Sequence, residues 1–396
     1  MKYKYAILVG DGMADFPIDE LGGKTPLEYA STPNMDSVAA SGRAGLLATI
    51  PEGYAPGSDV GNMSLMGYDP RNYFTGRAPI EAASMGISIG RDDVAFRCNL
   101  VSIDGGVMKD YSAGHISTPA AHRIISALQE ALGNDEVKFY PGVSYRHLLT
   151  VKSIGARLEC TPPHDIINCP ADAYLPKGDD GRDYILSIMN RARDVVVKAR
   201  DEINGESGGQ CQATDIWLWG QGPAVTFPTL HERYGLTGSV ISAVDLVRGL
   251  GKLSGLTVRL VDGATGYLGT NYAGKVAAAV NAFESGEDFV FLHVEAPDET
   301  SHEGDLNKKL QAIEEFDKNV VGEILKYQSA NPNLRIAVSP DHVTALSTRT
   351  HDASPVPFCM CGPGINIDDT NQYNEKSVQN RIPVNGVEFF DALING

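Results

Sequence analysis

Positive charge is scarce in this chain of 396 residues: 33 Lys and Arg face 50 Asp and Glu, a formal net charge of −17. No basic stripe is present to displace counterions from a nucleic-acid backbone or to dock on an anionic membrane surface, so both classes of partner are excluded. An anionic substrate would have to be met by local cations, either metal ions or arginines. Cysteine is also sparse. Cys98, Cys160, Cys169, Cys211, Cys359 and Cys361 show neither a C-x-x-C spacing nor the density of a disulfide framework, which predicts free thiols in a reducing compartment. Cys359 and Cys361 alternate across Met360, as core residues on one side of a short strand do. Long apolar runs are missing, so no membrane span is expected. The amino-terminal apolar stretch is short and runs straight into Asp11, a poor signal peptide, and the expected location is the cytoplasm.

What is present is an ordinary globular composition, 42% hydrophobic and 21% charged, over a length that fits two domains or one domain with an insertion. Three buried-strand patterns end at acidic residues. Tyr5 to Val9 leads to Gly10, Asp11 and Gly12; Asp288 to Glu295 leads to Pro297 and Asp298; Leu334 to Pro340 leads to Asp341 and His342. Leu310, Ile313, Phe316, Val320, Val321, Ile324 and Leu325 repeat at helical spacing within 306–327. Strands alternating with helices predict an α/β fold, a doubly wound, mostly parallel sheet. Between residues 92 and 226 the strand-end carboxylates vanish, and a helix is expected over 184–203. This segment reads as an inserted, smaller α+β domain, which leaves residues 1–91 and 227–396 as a discontinuous core.

The candidate chemistry lies in four segments: Gly10 to Met13; Pro56 to Asn62, around Ser58; Asp298 to Asp305, with His302 four residues after Asp298; and Pro340 to His342, with His351 nine residues on. Carboxylate oxygen suits Mg²⁺ and Mn²⁺, and imidazole suits Mn²⁺ and Zn²⁺. The mixed set therefore favours Mn²⁺, with Zn²⁺ or Mg²⁺ as alternatives. Spacing of four puts Asp298 and His302 on one side of a helix. A pair of metal ions would lower the pKa of a serine hydroxyl and neutralise a transferring phosphoryl group. Taken singly, each piece has a plainer reading: a strand-end Asp caps the next helix, Asp298 with His302 is a surface pair, and Ser58 is an N-cap. Together they gather on one edge of a parallel sheet, where functional residues collect.

These segments resemble, nearly end to end, the cofactor-independent phosphoglycerate mutases of the alkaline phosphatase superfamily, in their shorter, archaeal-type branch. The resemblance implies one metal on Asp11, Ser58, Asp341 and His342, and a second on Asp298, His302 and His351. It implies a phosphoserine intermediate at Ser58, in the turn Gly57 to Gly61, and a further matching motif at Gly76 and Arg77. It also implies that the inserted domain is a lid that supplies a histidine and arginines to a small phosphorylated substrate. By position His115 is the best match for that histidine, with Arg77, Arg97 and Arg146 as anion clamps and Arg248 and Lys275 reaching in from the returning segments. Arg97 reads alternatively as a partner of Asp93 and Arg146 as structural. His164 with Asp165 offers a proton-carrying pair, and His293 reads as a strand residue near the site. Trp217 and Trp219 share one face of a strand and read as packing. The expected reaction is interconversion of 3- and 2-phosphoglycerate. The alternatives are a homoserine-kinase-like phosphotransferase, a metal-dependent phosphatase or sulfatase-like hydrolase, and a non-catalytic metal-binding relative. Gly263 to Gly266 lacks the Lys and Ser/Thr of a nucleotide-binding P-loop.

Overall fold

The runs Lys4–Gly10, Phe289–Val294 and Leu334–Ser339 are adjacent parallel strands at the centre of an eight-stranded sheet. The computed structural model describes residues 2–207 and 210–396, except for the side chain of Ser207. Burial on both faces explains why these strands are almost continuously apolar. Ala6, Leu8, Val290, Leu292, Ile336 and Val338 enter one core, with Ile313, Phe316 and Ile324 of the helical segment beyond residue 306. On the other face Phe289 meets Phe390 of the carboxy-terminal helix Gly386–Asn395, with ring centroids 5.7 Å apart. Helices therefore cover both faces, as the doubly wound reading expects. Register places Val9 beside both His293 and Ser339, so the three strands end at one level.

Gly238–Ile241 and Thr257–Val258 extend the sheet in parallel on one side; Val356–Cys361 joins antiparallel on the other, followed by Gly42–Ala48 and Val384–Asn385. Cys359 and Cys361 enter the core as their alternation predicts, and all six cysteines are free thiols. The helix expected over 306–327 forms as Leu306–Phe316 and Gly322–Ala330 with a π turn at Asp317–Val321 between them. There the Asp317 carboxylate accepts the Met35 N–H and the Asn34 amide, both at 2.7 Å, a tertiary tie that local periodicity does not announce. No helix among the described residues is long and apolar enough to cross a membrane.

The chain divides into two compact units, one running to Phe74 and again from Phe227 to Gly396, the other Thr75–Thr226. The second unit is an antiparallel five-stranded sheet, Asp93–Asp104, Val107–Asp110, Val137–Val143, Arg146–Lys152 and Asp215–Pro223, packed with helices Thr118–Leu132 and Arg182–Ser207. The expected boundary at residue 92 is corrected. Helix Arg77–Met85 buries Ala78 and Ala82 against Ala95 and Leu148 of this sheet, so residues 75–91 belong to it. A short amphipathic helix carries no mark in sequence of which unit it will cover. The ends of the unit meet: Thr75 Oγ1 donates to the Pro223 carbonyl at 3.0 Å, and a Cβ on Gly76 would collide with the Gln221 carbonyl.

Candidate active site

Three neighbouring strand ends and one helix start build the site in the first unit. Asp11 follows the strand Lys4–Gly10, Asp341 and His342 follow Leu334–Ser339, and Asp298 and His302 lie on helix Ala296–Glu303 beyond Phe289–Val294. Ser58 opens helix Ser58–Leu65, whose N-terminus favours negative charge. This helix comes so close to Asp341 that a Cβ on Gly61 would be driven into the Asp341 carbonyl oxygen. Asn62, one residue on, donates its amide to Asp341 Oδ2 at 2.6 Å and to the Ser58 carbonyl at 2.9 Å. Gly12 N–H donates to Asp341 Oδ1 at 3.2 Å.

The side chains named from sequence converge. His342 Nε2 lies 3.2 Å from Ser58 Oγ, 3.5 Å from Asp11 Oδ1 and 3.6 Å from Asp341 Oδ2. His302 Nε2 lies 3.1 Å from Asp298 Oδ2 and 3.0 Å from His351 Nε2, and His351 Nε2 lies 3.4 Å from Asp298 Oδ1. His302 Nδ1 donates to the Arg349 carbonyl at 2.9 Å, which fixes the ring with Nε2 facing the cluster. The donor atoms also group in a second way. Asp298, His342 and His351 lie within 4.8 Å of one another, as do Asp11, His293 and Asp341. His342 thus stands between the two sets. His293, read from sequence as a bystander, is fully buried with Nε2 3.0 Å from Asp11 Oδ2 and Nδ1 3.3 Å from Ser242 Oγ.

These residues fit divalent cations. Asp11 Oδ1 is buried without a hydrogen-bond partner among the described residues, and Asp11, Asp298 and Asp341 are all at most 6% exposed. Burial and the neighbouring Asp341 and Asp298 push the Asp11 carboxyl well above the usual range. Burial acts the same way on Asp298, but hydrogen bonds from His302 and His351 outweigh it and hold that carboxyl well below the usual range. The Asp298 bond in turn raises His302 to about 9, while burial drives His293 down to about 4 and lowers His342. A dication would relieve the orphaned oxygen and the crowded carboxylates together.

The remaining candidates divide between the units. Lys275 and Arg248 lie in the first unit, on helices Tyr272–Glu284 and Asp245–Leu253. Lys275 is wholly buried, donating to the His293 carbonyl at 2.9 Å, and burial lowers it to about 8. Arg248 donates to the Ser242 carbonyl at 2.8 Å and to Asp245 at 3.1 Å. Both brace the segments around His293.

In the second unit Arg77 and Arg97 flank Glu81, at 3.1 Å and 3.0 Å, so the sequence alternative of an Arg97–Asp93 pair is replaced. Burial would raise the Glu81 carboxyl, but Arg97, Arg77 and Arg146 together bring it below its ordinary value. The Arg97 guanidinium lies 4.2 Å above the Trp219 ring, and Arg146 lies over Tyr145. His164 packs edge-on against Trp219 and Tyr111. His115 stands on the turn that follows Tyr111, where Ala113, Gly114 and His115 all take positive φ. Asp110 holds that strained turn by accepting Ser112 N–H and Oγ and Gly114 N–H. Asn62, His293 and Glu81 were given no role from sequence, because the contacts of Asn62 with Asp341, of His293 with Asp11 and of Glu81 with Arg97 join residues that are distant along the chain.

The fold and site define a class, α/β proteins with a buried Asp/His cluster at the carboxyl ends of parallel strands beside a serine. The sequence model described as 2,3-bisphosphoglycerate-independent phosphoglycerate mutase matches residues 39–201. A protein of that name from Methanosarcina acetivorans is 51% identical over 381 residues, 95% of each chain. A probable one from Geobacter sulfurreducens is 51% identical over 361 residues, 90% of each. Among solved structures, a Pyrococcus horikoshii protein superposes with a TM-score of 0.81 at 27% identity, covering 100% of this chain and 97% of its own. The cofactor-independent phosphoglycerate mutase of Thermoplasma acidophilum gives a TM-score of 0.66 at 25% identity, covering 100% and 99%. The chain belongs to the family of 2,3-bisphosphoglycerate-independent phosphoglycerate mutases.

Proposed function

We propose that this chain interconverts 3-phosphoglycerate and 2-phosphoglycerate through a phosphoserine at Ser58, without bisphosphoglycerate. The observation that carries the reading is the placement of Ser58 Oγ 3.2 Å from His342 Nε2, at a helix N-terminus beside the buried Asp11 and Asp341. Asp11, Ser58, Asp341 and His342 would hold one divalent ion and Asp298, His302 and His351 a second, most naturally Mn²⁺ for this donor set. Such ions supply charge that lowers the pKa of the serine hydroxyl and offsets that of the phosphoryl group. Ser58 Oγ forms the new bond to phosphorus as the bond from phosphorus to the glycerate oxygen breaks, and the serine proton passes, net, to that departing oxygen. The retained glycerate then attacks the phosphoserine through its other hydroxyl; the Ser58 Oγ–phosphorus bond breaks, and that hydroxyl's proton returns, net, to Ser58 Oγ. Asn62 and Gly12 hold Asp341, and His293, braced by Lys275, holds Asp11. In the second unit Arg77, Arg97 and Arg146, three positive charges around one Glu81, would supply recognition of the substrate's anionic groups, and His115 would add a further polar group.

An enolase-coupled assay with Mn²⁺ and no added bisphosphoglycerate tests this. Turnover is expected from the native chain, and Ser58→Ala is expected to reduce it at least 1,000-fold, on the order of losing a nucleophile. Full activity in Ser58→Ala removes the covalent route. Silence in the native chain together with ATP-dependent phosphorylation of homoserine assigns the site to a kinase. Phosphate release faster than isomerisation assigns it to a hydrolase.

A further inference from the structure

One hydroxyl touches both ligand sets. Thr344 Oγ1 lies 3.1 Å from His342 Nδ1 and 2.5 Å from Asp298 Oδ1, and is fully buried. A threonine hydroxyl carries one proton. The Asp298 carboxylate faces His302 and His351 and acts as acceptor, so the Thr344 proton goes to Asp298. The hydroxyl oxygen then has only a lone pair left for His342, whose Nδ1 must carry hydrogen. His342 Nε2 is thereby left bare, aimed at Ser58 Oγ, Asp11 and Asp341.

Thr344 is itself fixed from three directions. It lies directly across the strand pair from His351. Its carbonyl accepts the buried Lys309 ammonium at 2.7 Å, and Lys309 also donates to Asp15 Oδ2 at 2.9 Å, the same oxygen that accepts Leu346 N–H. Gly12 leaves the room it needs, since a Cβ there would strike both Thr344 Oγ1 and Asp298.

We propose that Thr344 is a positioning residue that sets the His342 tautomer and ties His342 to Asp298, so that the two cation sites load as a coupled pair. The proposal rests on the two-metal reading above, and the test separates the two. In ¹⁵N-histidine-labelled, metal-free native protein, with His342 assigned by loss of its signals in His342→Asn, the Nδ1–H tautomer is expected. The Nε2–H tautomer overturns the proposal without recourse to any variant at Thr344. In Mn²⁺ titrations followed by calorimetry, the native chain is expected to bind two ions. Thr344→Val should bind them roughly 10- to 100-fold more weakly at both sites, the usual scale for losing a group that orients a ligand, and Thr344→Ser should recover most of the loss. Native-like affinity in Thr344→Val, or no recovery in Thr344→Ser, overturns the proposal. Fewer than two ions in the native chain overturns the two-metal reading instead.

Discussion

Asp11, Asp298 and Asp341 crowd their carboxylates into a space almost sealed from water, where like charges repel with little screening. Protons partly relieve this in the metal-free protein. His302, held by Asp298, keeps its proton up to pH about 9. Because its pKa is raised above the ordinary value of about 6.5, the stability this pairing contributes is complete below that pH and is lost as pH rises through 9. A metal ion bound by His302 must displace that proton. Mn²⁺ affinity should therefore rise by up to roughly tenfold per pH unit between about 6.5 and 9 and flatten above. Calorimetry in buffers of different ionisation enthalpy checks this by counting released protons. Affinity that does not change across that window would show that His302 is not a ligand.

At the scale of elements, the site depends on how closely helix Ser58–Leu65 approaches the loop that carries Asp341. Gly61 permits that contact because it has no side chain to hold the Asp341 carbonyl away. Gly61→Ala should push the helix outward and carry Ser58 with it. A displacement of about 1 Å costs on the order of 100-fold in kcat, while the overpacking costs roughly 1–3 kcal/mol of stability. Coupled kinetics and thermal unfolding read the two effects separately, and an active, native-like Gly61→Ala would deny the tight contact any role. Helix Arg77–Met85 plays the matching part in the second unit, since it sets Arg77 and Glu81 one turn apart on the side facing Arg97. Arg97→Met should raise KM at least tenfold and shift kcat less, because a buried charge-assisted contact is lost and Glu81 loses a partner. An unchanged KM in that variant would remove Arg97 from substrate recognition.

At the scale of the whole molecule, the second unit has its own core and its own closed doorway, with Thr75 and Gly76 against Gln221 to Pro223. A fragment spanning 75–226 should therefore fold alone. Both tryptophans of the chain, Trp217 and Trp219, lie in it, so tryptophan emission of the full protein reports this unit only. The fragment is expected to show native-like emission and a cooperative thermal transition. A fragment that is unfolded at 25 °C would show that the unit depends on the rest of the chain.

Ser58, the three aspartates and the three histidines were all legible in the sequence. Strand-end position and i, i+4 spacing are local properties, and a parallel sheet must bring such ends to one edge. The core strands were legible for the same reason, as continuous apolar runs bounded by Gly and Pro. The π turn at Asp317, the assignment of helix Arg77–Met85 to the second unit and the partners of Arg97, Arg248 and Lys275 were decided only by tertiary structure. So was the part of Thr344, an unremarkable residue until Asp298, 46 positions away, lies 2.5 Å from its hydroxyl. Local pattern fixes what a segment can form and where it ends. Which distant groups share a proton, a charge or a van der Waals contact is settled only when long-range packing brings them together.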